Sequence, residues 1–570
     1  MKKLEEKMNN KRIYKKLLSL ALASGIVLSG LAANTSKVKA ANNYDLASNI
    51  KDGNILHCFD WTYQQIIDEL PNIAAAGFTS IQTSPAQPAN SSYGSTWYYL
   101  YQPNGFYVAD AGLGSEADLQ RLCSAADNYG IKVIVDVVAN HLAGDHTNID
   151  NSLRDSQYWH NLGSGIDYHN RYEITHKDIG MADLNSEHPF VQEKVKNYIS
   201  QLKSDGVDGI RWDAAKHISL PTESCGFWDT VIDRSLFNYG EILDTPVEGN
   251  SSYANGLMSE YTDYMSVSDS VYSATVMGAF KDGSVPSSYG SWVNVSGIDD
   301  NEIVYFAESH DTYSNDENTE GGWTKFIAQN KVDRAYAILG AKANSSALYF
   351  SRPLETNKHS IKIGAKGSTH FKSNEVAAVN KLHNQCVGQK EYYSASGNVA
   401  ILARETGASI ALGSGSNQDI TVQNPGGTLE PGTYKDQVSG ATFTVTDSQI
   451  KGYVGGTGIA VLLKDDNPPV VQDMTLYFSN NYNWNNVYAY AWGGSANMNW
   501  PGQAMKYVTK NSYNESIYSI TVPNDITGLI FTDGNGNKTI DITNGFNDGQ
   551  GYYISGTSNN NYSVGTYTYK

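Results

Sequence analysis

Between Asn54 and about Phe350, short apolar runs alternate with stretches of helical periodicity. Ile55-Leu56-His57-Cys58-Phe59 is followed by a stretch with apolar residues at Ile66, Ile67, Leu70 and Ile73, and then by Ser80-Ile81-Gln82. Apolar positions three and four apart share a helix face, whereas short unbroken runs suit buried strands, so the alternation predicts parallel βα units. It continues with a helix from the N-cap Ser115, supported by Asp118, to Tyr129, and with the run Lys132–Val138. A helix then opens at His188-Pro189, where proline tolerates the lack of an N–H. Val207–Trp212, Phe237–Glu241, Ile303–Ala307 and Ala347–Phe350 complete the set. About eight units in roughly 300 residues predict an α/β fold, a closed (β/α)8 TIM barrel rather than an open doubly wound sheet.

One interval breaks the rhythm. About forty-five residues rich in Asn, Asp, His and Gly separate Asn140 from His188, which predicts a small inserted domain at about 141–187. After Glu355 the helical pattern fades, and short alternating strands with Gly/Pro turns predict a β-sandwich domain over 356–464. Asp465-Asp466-Asn467-Pro468-Pro469 reads as a stiff linker, 465–471, ahead of a second β-sandwich module over 472–570. No repeat of fixed period is present.

The first forty residues place Lys2, Lys3, Lys11, Arg12, Lys15 and Lys16 before an apolar run, Leu17–Ala33, and the small-residue site Val38-Lys39-Ala40. This is the pattern of a secretory signal peptide, 1–40, with an uncleaved anchor as the alternative reading of the same run. Its removal takes away nine basic and two acidic residues, so the net charge of -18 becomes -25. So acidic a chain repels phosphate backbones and anionic lipid, which argues against nucleic-acid and membrane partners and is neutral toward uncharged ones. The four cysteines, Cys58, Cys123, Cys225 and Cys386, are too widely spaced for a zinc motif or a small disulfide framework and read as buried small hydrophobes.

Catalytic groups of a barrel sit at the C-terminal ends of its strands, because that face varies without disturbing the core. Asp136 and Asn140-His141 fall at one such end, Arg211 and Asp213 at the next, Glu241 at another and Glu308-Ser309-His310-Asp311 at a later one. Any one of these acids alone is more often a turn or cap residue. Jointly they predict carboxylates, two histidines and an arginine converging on one cleft.

These residues resemble the α-amylase family of glycoside hydrolases (family 13), most closely the extracellular enzymes of Gram-positive bacteria. The resemblance is carried by Asp136–His141, Gly209–His217, Gly240–Leu243 and Phe306–Asp311, four segments in the family's order and spacing. It implies retaining endo-hydrolysis of α-1,4-glucosidic bonds in starch, with two carboxyl groups about 5 Å apart. By the same resemblance Asp213 is the nucleophile, Glu241 the acid and then base, and Asp311 the group that grips the distorted sugar. Arg211 holds Asp213 ionised, His141 and His310 bind sugar at the cleavage subsite, and Lys216 contacts the leaving-group side, with an exposed solvated lysine as its plain alternative. Tyr98 stacks on a glucose, with Tyr101 a weaker match and Tyr99 explained by ordinary loop packing.

The resemblance further implies a structural Ca2+ between barrel and inserted domain. It is held by the side chains of Asn140 and Asp183 and the carbonyls of Thr175 and His217, hard oxygen donors of the kind this ion takes. The tail, from Tyr477 to Gly502, is similar to starch-binding modules of carbohydrate-binding family 26, with Tyr488, Tyr490 and Trp500 matching the sugar-cradling aromatics and Trp492 expected to be buried. The tyrosine and tryptophan content admits two causes, β-rich modules and stacking on sugar rings. The expected partner is starch or a related α-glucan, met as a secreted, extracellular monomer. Within the family, transglycosylation and α-1,6 hydrolysis share the three acids and stay open. A catalytically dead glucan-binding protein conflicts with the intact acid set. A surface-anchored scaffold would need a sorting signal that the end Gly565–Lys570 lacks.

Overall fold

The computed structural model describes residues 44–90, 94–144, 148–242, 251–287, 298–318, 322–464, 473–493, 496–524, 526–558 and 561–569. The expected signal peptide and the linker at 465–471 lie outside these residues. Eight strands, β1 (Ile55–Cys58), β2 (Ser80–Thr83), β3 (Lys132–Val138), β4 (Gly209–Asp213), β5 (Phe237–Gly240), β6 (Ser266–Ser268), β7 (Ile303–Phe306) and β8 (Ser346–Phe350), pair in parallel in that order. The barrel closes where Ile55 of β1 pairs with Leu348 of β8. The predicted TIM barrel is therefore present. Its strands are buried on both faces, as in β3, where every residue after Lys132 is buried.

Local signals set the helix starts. Thr62 and Gln65 form a reciprocal capping box at helix Tyr63–Ala75, and Ser115 and Asp118 form another at Glu116–Asp127. Pro189 opens helix Pro189–Ser204 behind the N-cap His188. Strand alternation then sorts β4: Trp212 turns outward onto Phe227 and Trp228, leaving Arg211 and Asp213 on the other face.

Between β3 and helix Pro189–Ser204 the chain runs through short turns and the helix Arg171–His176. Single bridges, His141 to Asp183 and Trp159 to Leu184, hold this insertion together. Buried Arg171 fastens it to the barrel, donating to both oxygens of Glu223 at 2.8 Å, to the carbonyl of Lys216 at 2.5 Å and to the hydroxyl of Tyr261 at 2.8 Å.

Helical structure continues past Glu355. Helix Asn374–Gln385 packs on the base of the barrel, with Asn54 donating to Asn380 Oδ1 and Asn380 to the carbonyl of Ala76, each at 2.9 Å. The strands β9 (Glu391–Ser396), β10 (Val399–Arg404), β11 (Gly407–Leu412), β12 (Gln418–Gln423), β13 (Gly432–Asp436), β14 (Thr442–Val445), β15 (Gln449–Val454) and β16 (Ile459–Lys464) follow. They form one antiparallel sheet, ordered β12-β15-β14-β13-β16-β11-β10-β9, around a core that includes Ile401, Ile410, Tyr434, Phe443 and Leu462. Arg334, on barrel helix Gln329–Leu339, ties the two together by donating to the carbonyls of Leu412, Gly415 and Thr457.

The chain divides into two compact units, Met1–Lys464 and Asp465–Lys570. The second has a five-stranded and a four-stranded sheet around Leu476, Phe478, Ala489, Ala491, Phe531 and Tyr552. No helix among the described residues is long and apolar enough to cross a membrane.

Candidate active site

At the C-terminal mouth of the barrel, the strand ends bring their polar residues to a cleft of about 700 Å³. Trp97, Tyr98, Tyr101, His141, Asp213, Lys216, Glu241, His310 and Asp311 all line it. Glu241 follows Gly240, where a side chain would collide with Met265 Sδ at 2.5 Å and Ala215 Cβ at 2.9 Å, so only glycine lets β5 approach its neighbours. Ala214, just after Asp213, adopts φ 47°, a left-handed conformation uncommon for alanine. This turn aims its N–H at Glu241 Oε2, 3.1 Å away. Strain at such a position marks a conformation fixed by its surroundings.

One guanidinium organises the acids. Arg211 Nη1 donates to Asp213 Oδ1 at 2.8 Å and to both oxygens of Asp136 at 3.0 and 3.1 Å, while Nη2 donates to Glu241 Oε2 at 2.9 Å. Asp136 also accepts from the Tyr101 hydroxyl at 3.0 Å, and the Tyr101 ring lies flat on His310, centroids 5.0 Å apart. Tyr101 thus braces the cleft floor with its hydroxyl already engaged. Asp311 sits in the first turn of helix His310–Ser314, capped by Ser309, and accepts from Asn315 at 3.0 Å.

Burial works against ionisation of Asp213, while Arg211 pulls its carboxyl toward the ionised form, the direction expected of it. Burial lifts Asp213 and Asp311 to about 7 each, against the pull of Arg211. Burial acts on Glu241 too, but Arg211 and the Ala214 N–H outweigh it and hold Glu241 below its usual range. Several carboxylates share one cation, so the group retains protons near neutrality as a set. The sequence shows Arg211 two residues from Asp213 but gives no sign that Asp136 and Glu241 claim the same guanidinium.

Both histidines are neutral. Burial lowers His141, and it lowers His310 to about 3. His141 Nε2 faces the Tyr101 carbonyl at 3.0 Å and therefore carries the hydrogen, which leaves the buried Nδ1, without a partner among the described residues, as an acceptor at the cleft. Lys216 is 8% exposed, which rules out the solvated alternative, and its ammonium lies 5.9 Å from the centre of the Tyr168 ring.

Sequence reasoning missed Tyr168, Lys358 and His359 in the cleft lining. Lys358 Nζ lies 5.5 Å from the Tyr98 ring centre, and His359 Nδ1 is 3.3 Å from its hydroxyl. The available signal was positional, since the loop after β8 borders the mouth as the other βα loops do.

Below the cleft, Asn140 Nδ2 donates to Asp183 Oδ1 at 3.0 Å, and both residues are buried. His217 Nδ1 bonds the carbonyl of Ile174 at 2.7 Å, which sets His217 beside Thr175. The buried acid, the amide and the neighbouring carbonyls are a hard-oxygen donor set and fit a cation of the calcium type. Among the described residues, His160, His176 and Glu187 form a further group of potential ligands, as do Asp333, His370 and Glu375.

In the tail unit, Ala489 and Ala491 face the core, while Tyr488, Tyr490 and Trp492 project from the opposite face of strand Tyr488–Gly493. Trp492 is half-buried rather than fully buried, lying over Gly528 and stacked on Tyr490 at 5.5 Å. Trp500 is 54% exposed, edge-on to Tyr490 at 5.5 Å.

A closed barrel with carboxylates at three strand ends, joined to an aromatic-faced β module, has the architecture of a (β/α)8 glycoside hydrolase with an appended sugar-binding module. Residues 51–235 match the alpha amylase catalytic domain, and residues 476–544 match starch-binding module 26. The barrel is thus similar to the α-amylase catalytic-domain family over residues 51–235, and the tail to that module family over residues 476–544. An α-amylase of Clostridium acetobutylicum is 32% identical over 82% of this chain and 62% of its own length. One of Butyrivibrio fibrisolvens is 31% identical over 79% of this chain and 51% of its own length. The chain therefore spans between half and two thirds of these relatives. The solved structure of α-amylase I from Eisenia fetida shares the fold, with a TM-score of 0.58 at 18% identity over 72% of this chain and 97% of that one.

Proposed function

We propose that the chain is a secreted α-amylase that hydrolyses internal α-1,4-glucosidic bonds of starch and related α-glucans with retention of configuration. The carrying observation is the Arg211 fork, which holds Asp213 and Glu241 side by side at the cleft floor. Asp213 attacks the anomeric carbon and forms a glucosyl ester, while Glu241 gives its proton to the departing glycosidic oxygen. Glu241, now a carboxylate, takes a proton from water, and the resulting hydroxide equivalent cleaves the ester and frees Asp213. The first step needs a proton on Glu241 and a carboxylate at Asp213, so sugar entering the cleft must weaken the Arg211–Glu241 contact and let Glu241 take up a proton.

Asp311 and the neutral histidines His141 and His310 bind sugar hydroxyls at the cleavage subsite. Tyr98 offers a stacking face, Tyr101 supports His310, and Lys216 lies on the leaving-group side. Asn140 and Asp183, with the carbonyls of Thr175 and His217, would hold a Ca2+ ion that braces the inserted segment at about 141–187 against the barrel. Such an ion supplies rigidity and no chemistry to the bond cleaved. Tyr488, Tyr490 and Trp500 cradle glucan on the module at 472–570, which keeps the catalytic part near its polymer.

The test is incubation with soluble starch and with pullulan, following product length and anomeric configuration by NMR. Short α-anomeric maltooligosaccharides from starch, with pullulan intact, support the proposal. Cyclic products or pullulan cleavage would reassign the reaction.

A further inference from the structure

We propose that His160, His176 and Glu187, all in the inserted segment, form a binding site for one transition-metal ion of the zinc type, separate from the oxygen-donor site at Asn140 and Asp183. The potential ligand atoms lie within 4.8 Å of one another. His160 Nε2 is 2.7 Å from Glu187 Oε2, and His176 Nε2 is 3.9 Å from Glu187 Oε1. The two imidazole centroids are 4.3 Å apart.

Proximity alone would describe an ion pair; what points to a metal is the outer set of contacts. A ligating histidine normally engages its other ring nitrogen with a carboxylate or a carbonyl, which fixes the tautomer and turns the free lone pair toward the ion. Both histidines are arranged this way. His160 Nδ1 lies 2.5 Å from Asp183 Oδ2, and His176 Nδ1 lies 3.1 Å from the carbonyl of Tyr172 and 2.8 Å from Thr175 Oγ1. The Tyr172 ring stacks on His176 at 4.0 Å and fixes its plane. Two Nε2 atoms thus converge on one carboxylate.

Two imidazoles and a carboxylate suit zinc and its neighbours, whereas calcium prefers oxygen alone. The other cluster, Asp333, His370 and Glu375, offers one imidazole, and its aspartate already accepts from Gln329, Tyr349 and His370. An ion at His160, His176 and Glu187 replaces the proton between His160 and Glu187, with water completing its coordination. It links the stretch around His160, the helix Arg171–His176 and the return to helix Pro189–Ser204. The inference does not depend on the calcium reading, because Asp183 serves here only as an acceptor for His160.

Metal-stripped full-length protein, returned to excess Ca2+, is titrated with Co2+ and then Zn2+. The expected result is one equivalent of Co2+ with the visible absorption of a four- or five-coordinate site, displaced by one equivalent of Zn2+. His176→Ala and Glu187→Gln should each weaken binding by at least the roughly tenfold to hundredfold typical of losing an outer-shell partner, while the Ca2+-loaded protein still hydrolyses starch. Absence of such a spectrum, displacement of Co2+ by the excess Ca2+, or equal affinity in the near-isosteric Glu187→Gln variant would overturn the site.

Discussion

Arg211 and Glu241 are joined by a 2.9 Å hydrogen bond from Nη2 to Oε2, so in the ligand-free protein the proposed acid is bound to a cation. Replacing Glu241 by Gln keeps the shape and removes the transferable proton. The kcat on soluble starch should fall about 10²- to 10⁴-fold with KM changed only a few-fold. Steady-state kinetics checks this, and an unchanged kcat would refute the assignment of Glu241.

The pH profile should have an acid limb set by the aspartates. Asp213 attacks only as a carboxylate, and burial lifts it to about 7. The kcat/KM should therefore drop as pH falls through the neutral range, with an apparent pKa belonging to the cluster rather than to one residue. An acid limb near 4 in kcat/KM would show that the free enzyme does not hold these protons.

The same burial has a stability consequence of opposite sense. A carboxyl whose pKa is raised on folding contributes stability below its unfolded value near 3.8, and loses it as pH rises through the folded value of about 7. Asp213→Asn and Asp311→Asn should therefore raise Tm at pH 8 by a few degrees relative to the parent, with the gain vanishing at pH 4. Calorimetry at the two pH values decides it.

Much of this arrangement was legible beforehand because strand ends are fixed by hydrophobic pattern, and barrels place chemistry at strand ends. Asp213, Glu241 and Asp311 could be placed that way. The loop after β8 was not legible: once periodicity stops, nothing in the text says where Lys358 and His359 turn back over Tyr98. Nor does a one-dimensional pattern reveal how a shared guanidinium redistributes protons among acids from β3, β4 and β5, since that depends on burial and on distances of about 3 Å.

Adsorption and turnover should separate in the tail. Tyr490→Ala and Trp500→Ala remove stacking faces worth about 1 kcal/mol each. Binding to granular starch should weaken about fivefold per substitution, while kcat/KM on short maltooligosaccharides stays constant. A parallel loss of both would mean that the rings serve the fold.

Chelation should act on stability before it acts on chemistry. An ion present at a hundred times its Kd contributes about 2.7 kcal/mol, so EDTA should lower Tm by several degrees in the parent. Asp183→Asn should have the lower Tm without EDTA and respond little to it. A Tm that ignores EDTA would remove the calcium proposal.

All four cysteines are unpaired and buried, and burial pushes the Cys123 and Cys225 thiols up to about 12 and 11. The folded state thus presents no thiolate to oxidants at these four positions. The same burial turns the four sulfurs into internal clocks. Alkylating reagents can mark each only when its surroundings open, so labelling rates at Cys58, Cys123, Cys225 and Cys386 report opening at four places without any probe being introduced.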